Sequence, residues 1–155
     1  MSDDLTLRGI TDADYDRVIG VLDDWWGGRE MIDMLPRLFF THFADTSFLA
    51  EDGDGSVAGF ICGFLSPACL DEAYVHFIGV APRHRRRGVA RKLYERFAVE
   101  ARRASRTTLH AVTSPVNEVS IAAHRALGFE VEGVHRDYDG PGRDRVVFVK
   151  RLDPP

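Results

Sequence analysis

The segment that most constrains this chain is residues 74–104, Y-V-H-F-I-G-V-A-P-R-H-R-R-R-G-V-A-R-K-L-Y-E-R-F-A-V-E-A-R-R-A. Residues 74–80 read as a buried strand, rich in β-branched and aromatic side chains and stopped by Pro82. Residues 88–104 read as an amphipathic helix, with Val89, Leu93, Phe97 and Ala101 at four-residue steps and charges between them. Arg83, His84, Arg85, Arg86 and Arg87 join the two, and Gly88 closes the run. A strand, a tight loop and a helix start expose first-turn N–H groups that carry roughly half a positive charge. Gly88 lets an oxyanion approach the backbone, and the arginines surround it with permanent charge. The ligand this arrangement predicts is a diphosphate.

The phosphate loop of nucleotidases needs G-x-x-x-x-G-K-[ST]. Here the loop has one glycine and no Lys-Ser/Thr pair, which argues against a nucleoside triphosphate. The pattern present is V-x-P-x-x-R-x-x-G-x-A, at Val80, Pro82, Arg85, Gly88 and Ala90. It resembles the pyrophosphate-binding motif of the GNAT superfamily of acetyl-CoA-dependent N-acetyltransferases, [Q/R]-x-x-G-x-[G/A]. A second stretch, Asn117-x-x-Ser120-x-x-x-His124-x-x-Leu127-Gly128-Phe129, resembles the family's N-x-x-[A/S]-x-x-x-Y-x-x-x-G-F.

The element order agrees with that resemblance along essentially the whole chain. Residues 5–10 read as an edge strand, and Thr11 to Asp14 as a variant capping box opening a helix with Tyr15, Val18, Ile19 and Leu22 on one face. Trp25-Trp26-Gly27-Gly28 breaks it, and a less regular helix over residues 30–43 is expected, restarted or kinked at Pro36. The two tryptophans are either core or the lining of a mobile substrate entrance. Residues 48–51 and 57–65 form a hairpin around Asp52-Gly53-Asp54-Gly55. A strand at 107–113, a helix to Leu127 capped by Gly128, and strands at 129–134 and 146–152 complete the chain. The expected fold is α/β (α+β): a GNAT-like mixed, mostly antiparallel sheet of about six to seven strands with helices on both faces.

Composition acts here by exclusion. The 155 residues suit one domain, 1–155, with a single core. A net charge of −4 argues against general nucleic-acid binding. Cys62 and Cys69 are too few for a disulfide framework. The acidic start M-S-D-D-L is unlike a signal sequence, and no apolar run approaches the ~20 residues of a membrane helix, so a cytoplasmic location is expected. Neither a metal site nor a membrane partner is expected, and self-association into a homodimer stays open.

The resemblance implies acetyl-CoA as cosubstrate and a primary amine of a small molecule or peptide as acceptor. It implies that the backbone of Ile78, Gly79 and Val80 pairs with the pantetheine arm like an added strand, where the central strand parts from its neighbour. It further implies that the loop residues Arg85, Arg86, Arg87 and Gly88, with Val89, Ala90 and Arg91, surround the pyrophosphate. Asn117 is implied near the pantetheine, a role compatible with its other reading as a helix N-cap.

Direct attack by the amine requires a base, and the two positions where relatives carry glutamate are Tyr74 and Val112 here. Neither accepts a proton at neutral pH. His76 shares a strand face with Tyr74 and Ile78, and the serotonin N-acetyltransferase branch has histidine at its position. His76 is thus either the base or a hydrogen-bonded core residue; Glu72, Asp71 and Asp137 are lesser candidates. His124 replaces the tyrosine that gives the departing sulfur its proton, and a neutral imidazole is expected only to hydrogen-bond that sulfur. A non-catalytic acyl-CoA-binding module is the alternative class.

Overall fold

The computed structural model describes residues 4–153. The first three residues of the acidic start lie outside them. Among the described residues seven strands are formed: β1 Thr6–Gly9, β2 Phe48–Glu51, β3 Val57–Leu65, β4 Glu72–Val80, β5 Thr108–Thr113, β6 Glu130–His135 and β7 Arg145–Arg151. Among the same residues four α-helices accompany them: α1 Tyr15–Trp25, α2 Leu38–Thr41, α3 Val89–Arg103 and α4 Glu118–Ala126. The strand order is β1-β2-β3-β4-β5-β7-β6. β4 and β5 are parallel, while β1–β2, β2–β3, β5–β7 and β6–β7 are antiparallel. This is the mixed, mostly antiparallel α/β class expected from the sequence.

The chain forms two compact units, Met1–Phe64 with Phe77–Glu100, and Leu65–His76 with Ala101–Pro155. In the first, side chains alternate across β3. Phe60 and Cys62 join Val18, Leu22 and Trp25 of α1, Leu35, and Phe39 and Phe40 of α2 in one apolar cluster. Gly59 points the other way, toward α3. A Cβ there would lie 2.9 Å from the Gly79 carbonyl oxygen and 3.0 and 3.2 Å from Val89 and Leu93. Glycine is therefore what lets the helix approach the strand so closely. Gly79 is equally confined, since a Cβ would fall 2.8 Å from Phe60 and 2.9 Å from Trp26.

The expected helix over residues 30–43 is corrected. Only a 3-10 turn at Ile32–Met34 and the one-turn α2 form there. Pro36 removes a backbone donor between them, and Ile32, Met34 and Leu38 lie exposed, so no continuous apolar face sustains a longer helix.

The capping box at Thr11 is present, and its acid does more than cap. The Asp14 carboxylate accepts the Thr11 N–H at 2.8 Å and a bidentate pair of bonds from Arg8 at 2.8 Å each. Arg8 also reaches Glu51 at 2.8 Å, so β1, α1 and β2 are cross-tied. The Arg8 bonds hold the buried Asp14 carboxyl down at about 2. Because the folded value is depressed, the stabilisation is complete above the unfolded carboxylate range and disappears as pH falls through about 2. Asp14→Asn is expected to cost about 1.5–3 kcal/mol near neutral pH, as for a lost charge-assisted bond. Urea unfolding should show that difference shrinking as the pH is lowered toward Asp14's folded value. A constant difference would mean the carboxylate charge is not what stabilises this corner.

In the second unit β5 and β7 pair from Thr108↔Arg151 to Thr113↔Val146, and β6 lies against β7. Helix α4 ends in a Schellman turn. Gly128, at φ +92°, donates to the Arg125 carbonyl at 3.0 Å, and Phe129 donates to that of His124 at 3.0 Å. The expected glycine cap is thus seen, and it turns Phe129 into the core beside Phe148.

Candidate functional site

Buried and half-buried residues alternate along β4, and Tyr74, His76, Ile78 and Val80 fall on the half-buried side. The face predicted from period two is the one formed.

Past Val80, in the first unit, the chain is fixed at successive points. The Ala81 N–H donates to the Ala58 carbonyl at 2.8 Å, and a 3-10 turn follows at Pro82–His84. Arg86 then takes φ +63° and Gly88 φ +79°. In turns of this kind successive backbone N–H groups can form an anion-binding concavity. Helix α3 starts at Val89, and its first internal bond runs from the Lys92 N–H to the Gly88 carbonyl at 3.0 Å. The N–H groups of Val89 and Ala90 thus have no acceptor within the helix and lie at its positive end. A Cβ on Gly88 would meet nothing within 4 Å, so the space above this backbone is open.

The basic run is less a store of ligand charge than its sequence suggests. The Arg85 guanidinium donates to the Trp25 carbonyl at the end of α1 at 2.6 Å, and to the Val80 carbonyl at 3.3 Å. Its backbone N–H donates to the Pro82 carbonyl at 3.4 Å. Arg83 donates to the Asp52 carboxylate, and His84 Nε2–H to the same carboxylate at 3.0 Å. The side chains of Arg83, His84 and Arg85 therefore help hold the loop in place. Sequence reading missed these partners because they lie far along the chain; only the acidic hairpin turn hinted at them.

In the second unit β4 pairs with β5 from Glu72↔Thr108 to Tyr74↔His110, and β4 continues beyond that ladder. Tyr74 is the position where the resemblance implied a glutamate in relatives. Burial first, then the charges of Tyr138 and Asp139, push its phenol up to about 12. It is no base near neutrality. His110, opposite Tyr74, holds its Nε2 3.1 Å from Glu72 Oε1 and 3.0 Å from Thr108 Oγ1. Glu72 is thus engaged. Asp137 accepts the Gly142 N–H at 2.8 Å within its own loop. Among the lesser base candidates, these two carboxylates already serve as acceptors. The pairing of His110 with Glu72 went unread, although period two on β5 places His110 beside Thr108 and Val112 on one face.

Asn117 caps α4, its Oδ1 accepting the Ser120 N–H at 3.1 Å. His124 is buried, stacked on Phe148 at 4.2 Å with 6° between planes, and edge-on to Phe129. Its Nδ1 lies 2.8 Å from the Ser120 carbonyl, which only accepts, so Nδ1 carries the proton. In the neutral ring Nε2 then bears the lone pair. Desolvation lowers the pKa of this imidazole, with the Ser120 carbonyl partly opposing it. His124 is accordingly a neutral ring near pH 7.

Among the described residues no cluster of His, Cys, Asp and Glu is suited to hold a metal. No helix among them is long and apolar enough to cross a membrane.

A family model described as the acetyltransferase (GNAT) family matches residues 15–129. The L-2,4-diaminobutyric acid acetyltransferase of Chromohalobacter salexigens is 28% identical over 115 residues, 68% of this chain and 60% of that protein. Its counterpart from Shouchella clausii is 38% identical over 90 residues, 56% of this chain and 48% of that protein. The chain thus spans about half to three-fifths of these relatives' length. Among solved structures, a GNAT-family acetyltransferase from Desulfovibrio desulfuricans superposes with a TM-score of 0.77 at 20% identity, covering 97% of this chain and 100% of that one. The diaminobutyrate acetyltransferase of Paenibacillus lautus, in complex with its substrate and coenzyme A, gives 0.73 at 24% identity, with 96% and 95% covered. At these identities the structural likeness is one of fold.

Proposed function

This chain belongs to the acetyltransferase (GNAT) family, and on that premise we propose that it acts as one domain transferring an acetyl group from acetyl-CoA to a primary amine. The observation that carries the proposal is the loop between β4 and α3. It has left-handed backbone at Arg86 and Gly88, open space over Gly88, and a helix start directly behind. That concavity suits a diphosphate. In this reading Arg86, Arg87, Gly88, Val89, Ala90 and Arg91 surround the diphosphate, and Arg85 frames the loop through Trp25. Backbone groups of Ile78, Gly79 and Val80 hold the pantetheine arm as an added strand would; Asn117 is the further candidate to bind that arm. Bound acetyl-CoA supplies the acyl carbon and a thiol leaving group.

The residues then have separable tasks. The Ile78 N–H polarises the carbonyl oxygen that gains charge as the amine adds. His76 takes the proton that the attacking nitrogen must lose. A C–N bond forms, the C–S bond breaks, and the sulfur leaves with its electron pair. Water protonates that sulfur, because His124 is held neutral with its proton on Nδ1. His124 serves through Nε2 as an acceptor beside the thiol.

Small diamino acids are the first acceptors to try, given the activity named for the relatives. Free CoA release is measured with L-2,4-diaminobutyrate, a polyamine, an aminoglycoside-type amine and a peptide amine. Release that depends on one of these amines is the expected result. Tight acetyl-CoA binding with no thiol released by any primary amine would make the chain a binding module instead.

A further inference from the structure

We propose that Asp52, in the hairpin turn between β2 and β3, is a positioning residue for the diphosphate loop. The proposal rests on the reading of that loop given above. Asp52 lies 36 positions before Gly88 in sequence, yet its carboxylate is only 9% exposed for a turn residue. Two sets of donors converge on it. One comes from its own turn: the Asp54 N–H at 3.2 Å and the Ser56 N–H at 3.1 Å bond to Oδ1. The other comes from the loop: Arg83 and His84 Nε2, the latter at 3.0 Å, bond to Oδ2. One oxygen thus holds the hairpin and the other holds the 3-10 turn that leads into Arg86 and Gly88.

Asp52 completes a frame with two further ties. The Ala81 N–H binds the Ala58 carbonyl where the loop begins, and Arg85 binds the Trp25 carbonyl further along. Directly after these ties, before α3 begins at Val89, the backbone must hold a left-handed residue that is not glycine, Arg86 at φ +63°. Such a conformation persists only where its surroundings over-determine it. Asp52 is the acidic member of the frame, the one acceptor on which both sets of donors meet. A framed loop presents its N–H groups already aligned, so binding need not order them.

The test compares acetyl-CoA with acetyl-pantetheine, which has the same thioester but no diphosphate. The parent is expected to prefer acetyl-CoA strongly. Asp52→Ala should raise the KM for acetyl-CoA about tenfold, the scale of one or two side chains ordered on binding. It should leave the KM for acetyl-pantetheine, the KM for the amine and kcat at saturating acetyl-CoA within about twofold. Asp52→Asn, which keeps an acceptor for one set of donors, should fall between. A merely structural role would lower Tm and the active fraction, and hence apparent kcat, with both thioester KM values unmoved. That outcome, in either variant, overturns the proposal. If Asp52→Ala does not fold, Asp52→Asn gives the same comparison. A parent without preference for acetyl-CoA would instead sink the loop reading itself, and the role of Asp52 with it.

Discussion

Gly88→Glu is expected to lower acetyl-CoA affinity at least about a hundredfold. A carboxylate in the space above the loop meets a diphosphate at contact distance. Like charges ~4 Å apart repel by about 4 kcal/mol at the effective dielectric of a protein surface, before salt screening. The glutamate would also satisfy the helix end that the ligand needs. The positive φ at Gly88 adds strain that any side chain shares. Gly88→Ala therefore serves as the control: it carries the strain but neither bulk nor charge, and the space around its Cβ is open. Titration calorimetry should show a modest loss for alanine and near-complete loss for glutamate. Equal affinities for glutamate and parent would mean the diphosphate lies elsewhere.

His76→Gln is expected to lower kcat/KM by about a hundredfold, the low end for general base catalysis. The glutamine keeps size and polarity, so basicity is lost without a gap in the half-buried face of β4. If His76 accepts the amine's proton, kcat/KM of the parent is expected to show a basic limb that the variant lacks. The amine titrates too, which is why two acceptors of different basicity are compared. A limb that shifts with the acceptor and survives in His76→Gln would show the amine arriving already neutral, leaving His76 a packing residue.

The parts of this molecule legible in the sequence are those whose causes are local. The hairpin at Asp52–Gly55, the capping box at Thr11, the glycine end of α4 and the loop-to-helix step at Gly88 each follow from a few adjacent residues. The alternation that sets His76 beside Tyr74 and Ile78 follows from strand geometry alone. What was not legible depends on partners brought together by folding. Arg85 reads in the sequence only as a ligand-facing charge, whereas folding also gives it a carbonyl acceptor 60 positions away. Asp52 looked like turn chemistry and became an anchor for Arg83 and His84. His110 gained meaning only when the β4–β5 register set it beside Glu72. Residues 30–43 misled for the opposite reason: helical spacing without a surface to bury does not make a long helix.

Gly79 bears on how such a sequence can drift. Its missing side chain is filled from two directions, by Phe60 at 2.8 Å and Trp26 at 2.9 Å from where a Cβ would stand. No single replacement at position 79 is accommodated unless one of those rings moves, and shrinking a ring first leaves a void that glycine cannot fill. The three positions are therefore epistatic. A lineage leaving this arrangement must pass through a destabilised intermediate or change several codons together. Glycine at 79 is held by its neighbours' genotype as firmly as by the backbone it leaves bare.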